Sequence, residues 1–223
     1  MRLTFNLPLL AQTLSLFFVC AIPLSAQAQT EPAWVFKNEK DNVKVYYRRT
    51  SDVHEIKLVS SIKTTLSGLV HLLGEVEMYP SWGYKVMESK VIEKISDTEM
   101  YYYSRLDFPW PFSDRDIVMH TKLVQDPETR AIIATSTAVS HDKVPVKKDV
   151  VRITNAKTTW KIWPGSSGWA YIEYYIYSDP AGNMPDWVVN MAIDMGPRET
   201  IKRMRNILKK PEYQAVRLAH IRE

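Results

Sequence analysis

Cysteine and glycine are both scarce in this chain. Its 223 residues include one cysteine, Cys20, and seven glycines. A single cysteine near the N-terminus cannot cross-link the rest of the chain, which excludes a disulfide-stapled scaffold. So few glycines argue against long flexible linkers. The formal net charge is only +4 and the basic residues are scattered. The sequence therefore lacks the basic stripe of a nucleic-acid-binding protein, and we predict no nucleic-acid partner.

Recognisable catalytic motifs are also missing. The segment 165–168 lacks the G-x-S-x-G spacing of a nucleophile elbow, and no glycine-rich phosphate loop is present. The histidines are dispersed, without the spacing that holds a metal ion: His54, His71, His120, His141 and His220. We therefore predict no catalytic residue, no metal and no cofactor, although a buried acid such as Glu173 or Asp194 leaves proton transfer open.

The N-terminal segment has the pattern of a targeting sequence. Arg2 precedes a mostly apolar stretch over 7–22, and Ala26-Gln27-Ala28 supplies small residues for cleavage. Bulky residues before Cys20 argue against a lipoprotein. We predict a cleavable signal peptide over 1–28, cut near Ala28, and a periplasmic or secreted protein. The remaining residues, 29–223, are predicted to form one domain, and an uncleaved membrane anchor is the alternative.

Aromatic residues are plentiful, and one group of them lies between prolines. Trp110 is flanked by Pro109 and Pro111, which fix the backbone φ angle and donate no N–H, so this segment cannot be a central strand. A stiff loop carrying Trp and Phe is typical of a segment that covers or enters an apolar space. The alternative is a loop folded back on its own core.

Periodicity predicts an α+β protein. Period-two patterns indicate strands at 43–47, 54–63, 84–95, 99–108, 117–124, 130–140, 150–162 and 169–178. A short helix is predicted at 34–36, a break at 78–82, and a helix at 66–75 that Thr65 caps, with Leu69, Leu72 and Leu73 as its apolar stripe. A long helical pattern closes the chain.

Three predicted strand faces combine apolar side chains with hydroxyls and occasional charges. Tyr102 lies on one face, Arg115, Met119 and Thr121 share a second face, and the third carries Tyr171 and Glu173. A solid core rarely accepts such a mixture without polar partners. A ligand cavity with a few polar groups does accept it. We predict that these residues contact a ligand; a sheet with one solvated tyrosine face is the alternative.

The closing helix adds a second predicted wall of this cavity. From Met184 onward its apolar face contains Trp187, Val188, Met191 and Met195, and Asp194 borders that face. Methionine suits a variable contact surface. The break at 196–197 favours a helix that can move as a lid, because proline disrupts the helical hydrogen-bond pattern. A stripe of this kind is otherwise plain core.

Three motifs in order resemble the START family of lipid-transfer domains. They are FPWPFSDRDIV at 108–118, VRI at 151–153 and SDPAGNMPDWVVN at 178–190. The chain is closest in style to the phosphatidylcholine-transfer branch, over about 31–210. The resemblance implies a helix-grip fold, in which a curved antiparallel sheet wraps around a long C-terminal helix and encloses a tunnel for one lipid. It places Trp110 on an Ω-type loop beside the tunnel mouth.

The resemblance implies a monomeric carrier that binds a phospholipid or sterol-like lipid and contacts membranes transiently. Sterol-binding members place a carboxylate and an arginine in the cavity, where this chain has Tyr102 and Thr121, so a sterol bound in that manner is not expected. Asp116 is predicted to form a structural ion pair, and Arg115 to contact a headgroup or serve structure. A lipid sensor without transfer, and a cyclase-like or hydrolase-like enzyme using the same cavity, stay open.

Overall fold

The structure is a computed structural model, and it describes residues 33–50, 53–182, 184–185, 187–188 and 195–223. The predicted signal peptide over 1–28 lies outside the described residues. So do Met191 and Asp194, two of the predicted ligand contacts.

Ten strands form one sheet. They are β1 (Val35–Lys40), β2 (Val43–Thr50), β3 (Val53–Lys63), β4 (Val86–Lys94), β5 (Glu99–Leu106), β6 (Arg115–Gln125), β7 (Ile132–Ala138), β8 (Val151–Ile153), β9 (Asn155–Pro164) and β10 (Trp169–Asp179). The order across the sheet is β1-β2-β3-β10-β9-β7-β6-β5-β4, with antiparallel neighbours, and β8 pairs parallel with β6 beside this path. The long strands β3 and β10 are neighbours in this order, so an early strand and the last strand of the chain lie side by side in the sheet.

Four α-helices whose full range lies within the described residues accompany the sheet: α1 (Leu66–Gly74), α2 (Tyr79–Trp82), α3 (Gly196–Leu208) and α4 (Pro211–Ala215). The predicted cap of α1 is confirmed, because the Thr65 side chain accepts a hydrogen bond from the Gly68 amide at 2.9 Å. Each helix in the described part of the chain is too short or too polar to span a bilayer. The predicted α+β class is confirmed.

Three local predictions are wrong. Residues 34–36 do not form a helix, because Val35 and Phe36 belong to β1 and pair with Tyr47 and Tyr46 of β2. The predicted strand over 150–162 is divided at Thr154 into β8 and β9, since β8 follows β6 while β9 pairs with β7 and β10. The predicted break at 78–82 contains the short helix α2.

One half of the inner sheet face, which we call the filled half, carries a solid core. The predicted stripe of α1 is confirmed, since its three leucines are buried against β2, β3, β10 and α3. The fully buried residues of the filled half include Val43, Val45, Leu58, Leu69, Leu72, Ile162, Ala170, Ile201, Met204 and Leu208. Packing here is close: a Cβ added at Gly68 would lie 2.5 Å from the Tyr213 carbonyl oxygen. This half therefore leaves no room for a ligand.

Candidate ligand cavity

The other half of the inner face, which we call the hollow half, encloses a cavity of about 890 Å³. Ligand pockets for small molecules measure roughly 300–1,000 Å³, so this one is large. Its walls come mainly from the inner faces of β5, β6, β7, β9 and β10, from α2 and from the start of α3, with single residues from β2, β3, β4 and α1. The residues 107–109 and 178–188 contribute lining residues at the other end. The sheet is thus packed at one end and open at the other.

Aromatic rings make up much of the wall. Trp160 and Tyr174 stack with their centroids 3.9 Å apart, while the Tyr79 ring meets Trp82 at 4.7 Å and Tyr102 at 5.4 Å, both edge to face. Aliphatic side chains fill the spaces between the rings: Ile56, Leu73, Val86, Leu106, Ile117, Met119, Ile153, Ile176 and Val188. Such a surface suits a hydrocarbon guest, because burying its methylene groups removes them from water.

Hydroxyl groups interrupt this apolar wall at one level. The Thr121 and Ser136 hydroxyl oxygens lie 2.6 Å apart on neighbouring strands. Burial raises the pKa of Tyr102 to about 12, although hydrogen bonding to Ser136 and Thr121 opposes that rise. Burial also raises the pKa of Tyr174. Both phenols therefore stay protonated at any physiological pH and offer neutral hydroxyl groups to the cavity.

Charged side chains lie near the open end. Lys85 and Asp107 line the cavity and form an ion pair with each other, and both side chains remain partly exposed. Arg49 and Asp179 are the other charged residues among the described lining residues. Arg49 is exposed and Asp179 is half-buried. Charge is therefore confined to the rim in the part of the wall that the structure describes.

The proline-tryptophan loop, residues 107–114, lies at this rim. The Arg105 guanidinium donates two hydrogen bonds to the Asp114 carboxylate, at 2.9 and 2.6 Å, which closes the base of the loop. Phe108 and Pro109 line the cavity. Trp110 is 90% exposed, and the Trp110–Pro111 peptide bond is cis. The loop thus contributes its base to the wall and presents its tryptophan to the outside.

Two adjacent charged residues of β6 have structural partners. Asp116 is fully buried and accepts hydrogen bonds of 2.6 and 3.0 Å from Arg152 of β8, so the predicted structural ion pair is confirmed. Arg115 donates to the backbone carbonyls of Ser113, Pro180 and Ala181. It is buried and lies outside the described lining. The structure therefore assigns Arg115 to holding two loops together, rather than to the predicted headgroup contact.

The structure brings Tyr102, Met119 and Thr121 together on the cavity wall, as predicted. The placement of Tyr171 and Glu173 is wrong. The residues of β10 that line the cavity are Tyr174, Ile176 and Ser178, so Tyr171 and Glu173 lie on the opposite face, where Glu173 accepts a hydrogen bond from Tyr175. Tyrosines occupy both faces of this strand, so composition could not tell the two apart.

The predicted face of the closing helix is also only partly correct. Trp187 and Met195 are 51% and 52% exposed and do not line the cavity, whereas Val188 is buried and does. The Trp187 ring lies 6.4 Å from that of Phe112 in the proline-tryptophan loop. Trp110, Trp187 and Met195 are therefore outward-facing apolar side chains of segments that border the cavity.

Several lining residues escaped sequence reasoning. They are Tyr79, Trp82, Ser136, Thr158, Trp160 and Tyr174. Ser136 and Thr158 carry a signal only in the strand register, because Ser136 pairs with Thr121 on one side and with Thr158 on the other. Period-two alternation shows which residues of a strand share a face, but it cannot show which residues lie opposite each other on neighbouring strands.

Comparison with known proteins agrees with this geometry. Residues 22–213 match the START domain family. The chain belongs to that family. It is 25% identical over 203 residues to START domain-containing protein 10 of Homo sapiens, which spans 88% of this chain and 69% of that protein. It is 24% identical over 187 residues to the phosphatidylcholine transfer protein of Mus musculus, spanning 81% and 86%.

A solved structure confirms the predicted architecture. The crystal structure of a STAR-related lipid transfer protein from Xanthomonas axonopodis matches with a TM-score of 0.71 at 28% identity, covering 79% of this chain and 99% of that chain. The fold is the predicted helix-grip fold, with a curved antiparallel sheet and a C-terminal helix. The resemblance drawn from the three motifs is therefore confirmed.

Proposed function

We propose that this protein binds a single lipid in its cavity and carries it through an aqueous compartment between membranes. The observation that supports the proposal is the hollow half: about 890 Å³ of space with apolar and aromatic walls, in a domain whose relatives are named as lipid transfer proteins. The predicted export signal adds the setting, which is the periplasm or the extracellular space. The predicted monomer is part of the same proposal.

Transfer of this kind needs shelter rather than chemistry. Hiding a chain of about sixteen methylenes from water is worth on the order of 12 kcal/mol, at ~0.8 kcal/mol for each CH₂. A bilayer already provides that shelter, so exchange between a bilayer and a dry cavity is nearly neutral. The barrier to transfer is the cost of exposing the lipid chain to water between the membranes. The cavity walls lower this cost because they cover the chain.

Membrane contact is assigned to the outward-facing apolar residues of the segments that border the cavity. Trp110 and Trp187 combine an apolar ring with an N–H, a combination that favours the interface between lipid and water. Both are at least half exposed. A membrane that receives these rings would lie next to the segments that form the cavity rim, so a lipid could leave without crossing bulk water.

The test is vesicle-to-vesicle lipid transfer by Trp110→Ala and Trp187→Ala, with Trp169→Ala as the matched control. Trp169 is also partly exposed but begins β10, at the opposite end of that strand from the cavity rim. We expect both rim variants to transfer lipid more slowly and the control to match the wild type, with unchanged stability. Wild-type transfer rates in both rim variants would remove these residues from the mechanism.

The same assay distinguishes a lipid sensor from a lipid carrier. A sensor would hold a lipid without moving it, so stoichiometric binding with no transfer by the wild-type protein would favour that function. An enzyme would convert the bound molecule, and a product released on incubation would favour that function instead.

A further inference from the structure

Arg115 bonds to two separate segments of the cavity rim at once. It begins β6 and is only 4% exposed. Its guanidinium donates one hydrogen bond to the Ser113 carbonyl of the proline-tryptophan loop. It donates two more, at 3.2 Å each, to the carbonyls of Pro180 and Ala181, in the turn at 179–182 where β10 ends. One side chain therefore bridges two segments that are far apart in the sequence.

Both segments line the same end of the cavity. The proline-tryptophan loop supplies Phe108 and Pro109 to the wall, and the turn at 179–182 supplies Pro180 and Gly182. The centroid of the Phe108 ring lies 4.5 Å from the guanidinium carbon of Arg115. Displacing either segment would widen the cavity mouth. Arg115 therefore lies where the two sides of the rim meet.

Each segment shields the other segment's hydrogen bonds from water. Burial removes Arg115 from solvent and lowers its pKa, an effect that the Asp114 charge opposes. In such a site a hydrogen bond to a charged group is stronger than one that competes with water. When one segment leaves, water reaches the guanidinium, and its bonds to the remaining segment weaken. Opening of one segment therefore promotes opening of the other.

We propose that Arg115 is a positioning residue that latches the proline-tryptophan loop to the turn at 179–182, so that the two segments open together when a lipid enters or leaves. This role rests on the proposed lipid-binding function, because joint opening matters for a cavity that admits a guest. Arg115 lies outside the described lining, so it acts on the cavity mouth through the two segments that it holds.

Hydrogen–deuterium exchange of the delipidated protein measures this opening without a lipid. Arg115→Lys keeps the charge but replaces the planar fork with one ammonium, which cannot serve carbonyls on both sides equally. We expect peptides covering 107–114 and 179–182 to exchange about tenfold faster, the ratio that one lost hydrogen bond to a charged group supplies. The reporting amides are those of Phe112 and Ala181, since both are hydrogen-bonded. Faster exchange in one segment alone, or in neither, overturns the inference.

The matched control is Arg205→Lys. Arg205 also donates to backbone carbonyls, those of Asp41, Asn42 and Ser61, but it fastens α3 to β3 and to the turn between β1 and β2 rather than to the rim. We expect this variant to lose stability while exchange in both rim segments stays at the wild-type rate. Equal acceleration by the two lysine variants would trace the effect to a general loss of stability and overturn the inference.

A further substitution tests whether the two segments open as one. Asp179→Ala removes the acceptor of the Ala181 amide and so loosens the turn at 179–182 directly. With Arg115 present, we expect exchange at Phe112 in the other segment to rise as well, and with Arg115→Lys this transmitted effect should disappear. Unchanged exchange at Phe112 with Arg115 present overturns the coupling. This comparison decides even if Arg115→Lys does not fold.

Lipid uptake separates this inference from the proposed function. Delipidated proteins are mixed with vesicles of phosphatidylcholine and phosphatidylglycerol, and the captured lipid is followed over time by mass spectrometry. We expect Arg115→Lys to take up lipid several-fold faster than the wild type and Arg205→Lys to match it. Uptake by Arg115→Lys at the wild-type rate overturns the role in lipid entry. A wild-type protein that takes up no lipid contradicts the proposed function, while the exchange rates still decide whether the latch exists.

Discussion

The two halves of the inner sheet face differ in how their apolar side chains are covered. In the filled half, leucine, isoleucine and methionine side chains of α1 and α3 pack closely against β2, β3 and β10. In the hollow half, the same sheet continues but its side chains line about 890 Å³ of open volume. The difference shows that stability and ligand capacity are assigned to separate parts of one domain.

The strands of the hollow half also carry a smaller buried cluster on their outer face, where Tyr103 and Val118 pack with Val144. Ion pairs lie near the same strands: Asp116 with Arg152, Arg105 with Asp114, and Lys85 with Asp107. The first of these is buried, and it joins β6 to β8 in the only parallel pairing among the described strands. Buried apolar contacts and ion pairs outside the cavity thus surround the strands that form its wall.

The largest expected effect comes from breaking the buried ion pair. Asp116→Asn leaves the Arg152 guanidinium without its charged partner in a buried site, which typically costs about 3–5 kcal/mol in the free energy of unfolding. Urea denaturation measures it. The control is Asp97→Asn, which breaks the exposed ion pair with Lys94 and should leave the midpoint nearly unchanged. An Asp116→Asn midpoint as close to wild type as that of the control would contradict a structural role for the pair.

The next effect compares truncation in the two halves. Leu72→Ala in the filled half should lower the free energy of unfolding of the delipidated protein by about 2–5 kcal/mol, because the surrounding side chains cannot close the void. Ile176→Ala on the cavity wall should cost about 1–2 kcal/mol, since one side of Ile176 already faces open space. Equal costs would mean that the hollow half is packed in solution.

Enlarging an alanine tests the same comparison in the opposite sense. Ala170→Leu adds volume to the filled half, where overpacking typically costs about 1–3 kcal/mol. Ala156→Leu extends into the cavity and should leave stability within about 1 kcal/mol of wild type, while lipid capture from vesicles falls. The account fails here if Ala156→Leu destabilises the domain as much as Ala170→Leu and captures lipid normally.

The smallest effect lies on the outer face of the sheet. Hydrogen bonds from His120 and then Lys122 hold the pKa of Glu99 below its ordinary value. A depressed carboxyl pKa adds stability above the unfolded value of roughly 4.3, and this contribution is lost as the pH falls through the folded value. We expect Glu99→Gln to show a slightly shallower loss of stability between about pH 5 and pH 3. Thermal unfolding across this range checks the slope, and identical slopes would exclude the contribution.

Much of the fold follows from local patterns, and much of the cavity does not. The stripe of α1 and the inner faces of β5 and β6 can be predicted because apolar side chains recur at the helical period in α1 and at every second residue in the strands. The inner face of β10 is not, since tyrosines alternate through both of its faces. The alignment of Thr121, Ser136 and Thr158 on the cavity wall depends on the register of three strands. The hydrogen bonds of Arg115 depend on loops that come together only in the folded chain.

The most direct test of the hollow half is native mass spectrometry of the protein purified from its own host. We expect a mass excess equal to one intact lipid per chain, which organic extraction releases and identifies. A protein that carries the mass of the bare polypeptide, and that takes up no lipid when offered vesicles, would contradict the account.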